Sequence, residues 1–167
     1  MILCRCHDIY LLQIRIKKLK KFHKIKIKTD KLFTNITDKV EKFIPNNERR
    51  GLMMVYCPHT TASIILLENE LLHLVDIRFF LDKISPKFKE AEGDHKNIKY
   101  LHDLISLREN TPQDERVNGH SHIRSLFFNS SELIPFEDKK LKLGEWKKVF
   151  FVELDPVRER EIYVISL

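Results

Sequence analysis

The chain has 167 residues, with 30 lysines and arginines against 24 aspartates and glutamates, for a net charge of +6. That length suits one domain burying roughly two thirds of its unfolded surface, stable without disulfide staples. Cys4, Cys6 and Cys57 have no secreted-framework spacing, which points to a reducing, cytoplasmic setting, and Cys4-x-Cys6-His7 lacks the fourth ligand of a usual zinc site.

In chain order, residues 1–21 carry an apolar patch broken by Asp8 and Gln13 and followed by its basic cluster. That is neither a spanning helix nor an orthodox signal peptide; a targeting or accessory extension, or poorly ordered upstream sequence, remains open. Much of the positive excess lies between Arg15 and Lys28, where Phe22 to Thr29 alternates as a half-exposed strand does, with Lys24, Lys26 and Lys28 facing water. A helix capped by Thr37 or Asp38 should follow, carrying Val40, Phe43 and Ile44 until Pro45. Leu52 to Tyr56 reads as a strand buried on both faces, and Ser63 to Leu67 as its continuation or partner. Glu68-Asn69-Glu70 opens a helix with an apolar stripe of Leu74, Ile77, Leu81 and Ile84.

The long polar stretch from Lys87 to Glu115 contains His95, Tyr100, His102 and Asp103; connections of that length are usually functional or mobile. Asp114 to Phe128 concentrates two histidines, Asn118, Ser121, Arg116 and Arg124 ahead of an apolar run, as a loop feeding a helix would. The free amides of such a helix start, with the arginines, suit a phosphate. Leu133 to Glu137, Leu141 to Leu143, Lys148 to Leu154 and Glu161 to Leu167 suggest a closing antiparallel meander. Helices placed among strands without regular alternation predict an α+β fold, a large mixed, mainly antiparallel sheet or sandwich with two or three helices, over residues 22–167.

Five motifs in register resemble the YjbQ family, the secondary thiamine-phosphate synthases: Pro58-His59-Thr60-Thr61-Ala62, Glu68-Asn69-Glu70, Asn118 to Ser125, Leu143-Gly144-Glu145-Trp146, and Glu153 to Arg158. The resemblance runs from about Phe22 to Leu167. It implies a compact α+β domain assembled as a homotrimer, a polar pocket containing histidines, and a weak activity that joins hydroxymethylpyrimidine diphosphate to thiazole phosphate with release of pyrophosphate. The sequence departs from the family pattern at Leu67, at Leu71-Leu72-His73 in the start of the following helix, at Glu145 and Lys147 around Trp146, and in a longer, more polar segment from Lys87 to Asp103.

On this resemblance His59, His122, Glu68 and Asn69 are the expected catalytic residues, and Thr60, Thr61, Asn118, Arg124, Ser125, Trp146 and Arg158 the expected contacts to a small phosphorylated metabolite. His59, His102 and His122 could hold Zn²⁺, or act as neutral donors around an anion. His120 would point elsewhere on a helix, two residues from His122. Mg²⁺ on the diphosphate would need one carboxylate, from Glu68, Glu70 or Asp114; no organic cofactor is expected. Plainer roles compete: helix-dipole partners for Glu68 and Glu70, a cap for Asn69, a turn ion pair for Arg158 with Asp155, core or pocket wall for Trp146. The competing function classes are a non-catalytic trimer that binds a phosphometabolite or metal, and a nucleic-acid binder. The absence of a Gly-rich phosphate loop, a Cys-pair zinc module and an RNA-binding aromatic signature disfavours the latter.

Overall fold

The computed structural model describes residues 22–87, 99–112 and 115–167. Cys4, Cys6, His7, His95 and Asp114, and the expected extension over residues 1–21, lie outside the described residues. The fold is α+β: the described residues form two antiparallel sheets sharing one core, with three short-to-medium helices.

The first strand, β1 (Phe22–Lys28), alternates as the sequence predicts: Ile25 and Ile27 are buried, while Lys24, Lys26 and Lys28 face water. It lies at the edge of the described five-stranded sheet, where lysines discourage pairing with another chain. Lys24 pairs with Glu161 at 2.9 Å. A short strand the sequence does not announce, β2 (Phe33–Asn35), precedes α1 (Thr37–Glu41). The expected Thr or Asp cap is absent there. Asn35 Oδ1 instead accepts from the Thr37 amide, and the Thr37 hydroxyl is committed to the amide of Val149.

Strand β3 (Arg50–Tyr56) buries Met53 and Val55 but leaves Leu52 and Tyr56 exposed, so it is covered on one face only. Strand β4 (Ala62–Glu68) neither continues nor pairs with β3; it lies in the second sheet. Helix α2 (Leu71–Ile84) follows, with Leu74 and Ile77 half-buried, Leu81 fully buried and Ile84 exposed. A 3-10 segment, Leu101–Leu107, leads to α3 (Gly119–Ser125). Then come β5 (Ser131–Glu137), β6 (Lys140–Leu141), β7 (Lys147–Glu153) and β8 (Glu159–Ser166).

These last strands do not form the expected meander. The sheet orders are β1-β8-β3-β5-β6 and β2-β7-β4, so β7 leaves for the small sheet and β8 returns between β1 and β3. The strand buried on both faces is β7 rather than β3, because it is the centre of the small sheet. Val149 and Phe151 join the core formed with Ile25, Met53, Val55, Ile134, Phe136 and Val164 from the large sheet. On the other face, Phe150 meets Phe33, which also meets Phe128 just beyond α3. This crossing brings the β3–β4 connection, the end of β7 and the start of β8 together. No helix among the described residues is long and apolar enough to cross a membrane.

Candidate functional site

The β3–β4 connection, Cys57 to Thr61, is bound at both ends by backbone: Cys57 N–H donates to Ser130 O, and Leu154 N–H to Thr61 O. Beneath it lies a buried ion pair. Arg160 donates from Nε to Glu153 Oε2 at 2.8 Å and from Nη2 to Glu153 Oε1 at 2.7 Å, and Nη2 also reaches Thr61 Oγ1 at 3.0 Å. Glu153 Oε1 accepts the Asp155 amide as well. The two side chains are 0% (Glu153) and 5% (Arg160) exposed, so the bidentate geometry and the extra donors are what make these charges tolerable.

His59 sits above this pair. Its Nε2 is 3.1 Å from both the amide nitrogen and the carbonyl oxygen of Glu161, accepting from one or donating to the other according to tautomer. Burial, and then the Arg160 charge, hold its pKa below the usual imidazole value. The neighbouring Cys57 thiol is pushed up to about 11 by burial, which makes it an unreactive core side chain.

The opposite wall comes from α3 and the 3-10 segment. His122 and His102 meet edge to face, with ring centroids 4.4 Å apart. Burial and the nearby His102 lower the His122 pKa. Asn118 precedes α3 but does not cap it with its side chain; Nδ2 donates to Asp155 Oδ2 at 3.0 Å instead. Arg158 Nε lies 3.0 Å from the same oxygen and its Nη2 3.9 Å from Glu115 Oε1. The resulting cavity, about 350 Å³, is lined by Pro58 to Thr61, by His102, Ile105 and Arg108, by Glu115, Asn118 and His122, and by Arg158 and Arg160. Among the described residues Arg108 makes no ion pair.

Of the residues expected at the site, His59, Thr60, Thr61, His102, Asn118, His122 and Arg158 are brought together. The others are not. Glu68 ends β4, seven residues from Thr61 and hence about 20 Å along an extended strand. Asn69 donates its main-chain N–H to Trp146 O. Glu70 caps α2, accepting from the amides of Leu72 and His73 at 2.8 Å each. Trp146 is neither core nor pocket wall, being 66% exposed. Arg124 points to the end of α2, where Nε donates to Ser85 O and Nη2 to Asp82, so its charge complements a helix C-terminus. Ser125 Oγ donates to His122 O within its own helix. His120 turns away from His122, as helical spacing predicts, and its Nε2 contacts Ser121 Oγ at 3.2 Å.

The expected phosphate seat at the start of α3 is also taken. The helix has seven residues, and its Gly119 amide already donates to Asp103 Oδ1 at 2.8 Å. Sequence reasoning missed Arg108, Glu115, Arg160 and Glu153. A signal existed for two of them: Arg160 shares the buried phase of Ile162 and Val164, and Glu153 ends the apolar run Val149 to Val152. A charge on each buried phase calls for its opposite nearby.

The family model described as "UPF0047 protein YjbQ-like" matches residues 21–167. This chain belongs to that family. A UPF0047 protein of Archaeoglobus fulgidus is 32% identical over 133 residues, covering 80% of this chain and 89% of its own. The UPF0047 protein YugU of Bacillus subtilis is 28% identical over 145 residues, covering 84% and 94%. Among solved structures, a YjbQ/UPF0047 family protein of Clostridium acetobutylicum is similar with a TM-score of 0.67 at 30% identity, covering 87% of this chain and 99% of that one.

Proposed function

We propose that the YjbQ-type pocket binds the phosphate groups of a small metabolite and, as the resemblance implies, joins hydroxymethylpyrimidine diphosphate to thiazole phosphate. The observation that supports this reading is the convergence of Arg108, Arg158 and Arg160 with His59, His102 and His122 on one cavity of about 350 Å³. In this reaction the thiazole nitrogen supplies the electron pair for the new bond to the pyrimidine methylene carbon. The carbon–oxygen bond breaks with its pair going to pyrophosphate, and no proton need move. The protein's work is to hold the leaving diphosphate and stabilise its growing charge, which Arg108 and Arg158 suit, with the imidazoles as added donors.

A resident zinc on His59, His102 and His122 does not fit this arrangement. The described residues contain no group of three His, Cys, Asp or Glu side chains placed to hold an ion. Mg²⁺ carried by the diphosphate asks for only one carboxylate, and among the described residues Glu115 is the one lining the pocket. A homotrimer is also implied by the resemblance; sedimentation of the full chain tests it.

The deciding experiment measures thiamine phosphate formed from the two substrates with Mg²⁺, comparing the parent with His122→Ala. Product that is lost in the variant while pyrophosphate binding weakens supports the transferase. Pyrophosphate binding without product from folded protein assigns the pocket to a binding module, and absence of both overturns the phosphate reading.

A further inference from the structure

We propose that Asp103 is a positioning residue: its hydrogen bond to the start of α3 sets the His102–Arg108 wall of the pocket against the wall that carries His122 and Arg158. This inference rests on the reading of the pocket as a phosphate site.

The segment Leu101–Leu107 supplies His102 and Ile105, and Arg108 follows it directly, so much of the outer wall rides on one piece of chain. That piece contains no buried residue, and Leu101 and Leu107 are 84% and 79% exposed. Hydrophobic burial therefore does little to fix its place. Polar contacts do. Tyr100 donates its hydroxyl to Pro86 O at 2.9 Å and lies 3.0 Å from Ser85 Oγ, which fixes the entry to the segment. Within it, Asp103 Oδ1 accepts the Gly119 amide at 2.8 Å. That bond is charge-assisted, and it uses an amide that a helix start leaves without an intrahelical partner.

The joint is sterically matched as well. A Cβ on Gly119 would lie 2.5 Å from Tyr100 Cβ and 2.7 Å from Asp103 Oδ1, so only glycine lets the segment approach this closely. Gly119 and His122 are three residues apart and so share a helix face. Asp103 and His102 are adjacent. One hydrogen bond thus fixes the register in which the His102 and His122 rings meet at 4.4 Å. Asp103 does not line the cavity itself; it acts through its neighbours.

The test uses the full chain and inorganic pyrophosphate, with affinity measured by titration calorimetry. Asp103→Ala is expected to weaken binding about tenfold, the scale of one lost charge-assisted contact. Asp103→Asn, which keeps an acceptor oxygen, should restore most of that loss. In a double-mutant cycle, Asp103→Ala should cost little once Arg108 has been replaced by Ala, because the contact it positions is already gone. Unchanged affinity in Asp103→Ala, or a loss that adds in full to that of Arg108→Ala, overturns the proposal. Should Asp103→Ala fail to fold, Gly119→Ala disturbs the same joint from the other side and must weaken binding in the same Arg108-dependent way. If the parent does not bind pyrophosphate, the phosphate reading falls by itself. The positioning role is then judged from the proton–proton contact between the His102 and His122 rings by NMR: its loss in Asp103→Ala and return in Asp103→Asn support the role, and its persistence in Asp103→Ala overturns it.

Discussion

The two ends of strands β4 and β7 use the same residue types to opposite effect. At the pocket end, Glu153 is fully buried and closed by Arg160, with Thr61 and the Asp155 amide completing the network. At the other end, Glu68 is exposed beside Lys147, Glu70 caps a helix in water, and Trp146 stands open. A carboxylate in water can be satisfied by solvent, whereas one in the interior commits its neighbours to fixed positions. That commitment turns the pocket end into a shaped cavity and leaves the other end as surface. Sequence motifs mark both ends equally and do not report which is buried.

The largest expected effect comes from opening the buried pair. Glu153→Ala leaves the Arg160 guanidinium without its carboxylate in the interior, and a loss of about 3–5 kcal/mol in unfolding free energy is expected. Chemical denaturation at neutral pH measures it. A loss no larger than that of an ordinary surface substitution would mean that the pair is reached by water and does not organise this end.

How far the sequence can be read follows from the same contrast. Period-two alternation identified β1, whose isoleucines face the core, and the apolar stripe after Glu70 identified α2, although only Leu81 of that stripe is fully buried. The sheet order was not legible. A run such as Val149 to Val152 indicates burial on two faces, but nothing local tells which sheet supplies the neighbours, and the β7 crossover depends on the whole chain. At the site, the His59 and Asn118 to His122 motifs were legible because polar residues sit where apolar ones would otherwise pack. Arg124 was misplaced for a physical reason: a guanidinium near a helix start can equally serve the end of a neighbouring helix, and Asp82 and the Ser85 carbonyl offer it the better seat.

A second, smaller effect is pH-dependent and confined to the pocket end. His59 and His122 have folded-state pKa values below their unfolded ones, with burial the leading cause in each. The unfolded chain then binds more protons as pH falls, so the stability these groups contribute is present above about pH 6.5 and is lost as pH drops through their lowered values. Arg160, Glu153 and Glu161 face His59, while His102, Asp155, Glu115 and Arg158 face His122. Pyrophosphate should act with the opposite sign, because an anion favours the protonated imidazole; its stabilisation of the fold should grow between neutral and mildly acidic pH. Thermal melting with and without pyrophosphate across that range separates the two. A ligand-induced shift that does not depend on pH would exclude both imidazoles from contact with the anion.

The smallest effects belong to the far end. Trp146→Ala should change stability by no more than about 0.5 kcal/mol, since an open side chain has little packing to lose. Glu70→Ala should cost more than that change but far less than Glu153→Ala, and its signature is again a pH window. The Leu72 amide, and after it the His73 amide, hold the Glu70 carboxyl below the usual carboxylate range. Its capping contribution is therefore present above about pH 4.5 and fades as pH falls through the lowered value. In Glu70→Ala the gap in melting temperature from the parent should close on acidification, while pyrophosphate affinity at neutral pH stays at the parent's value. A loss of affinity in this variant would couple the start of α2 to the pocket and break the division between the two ends of β4.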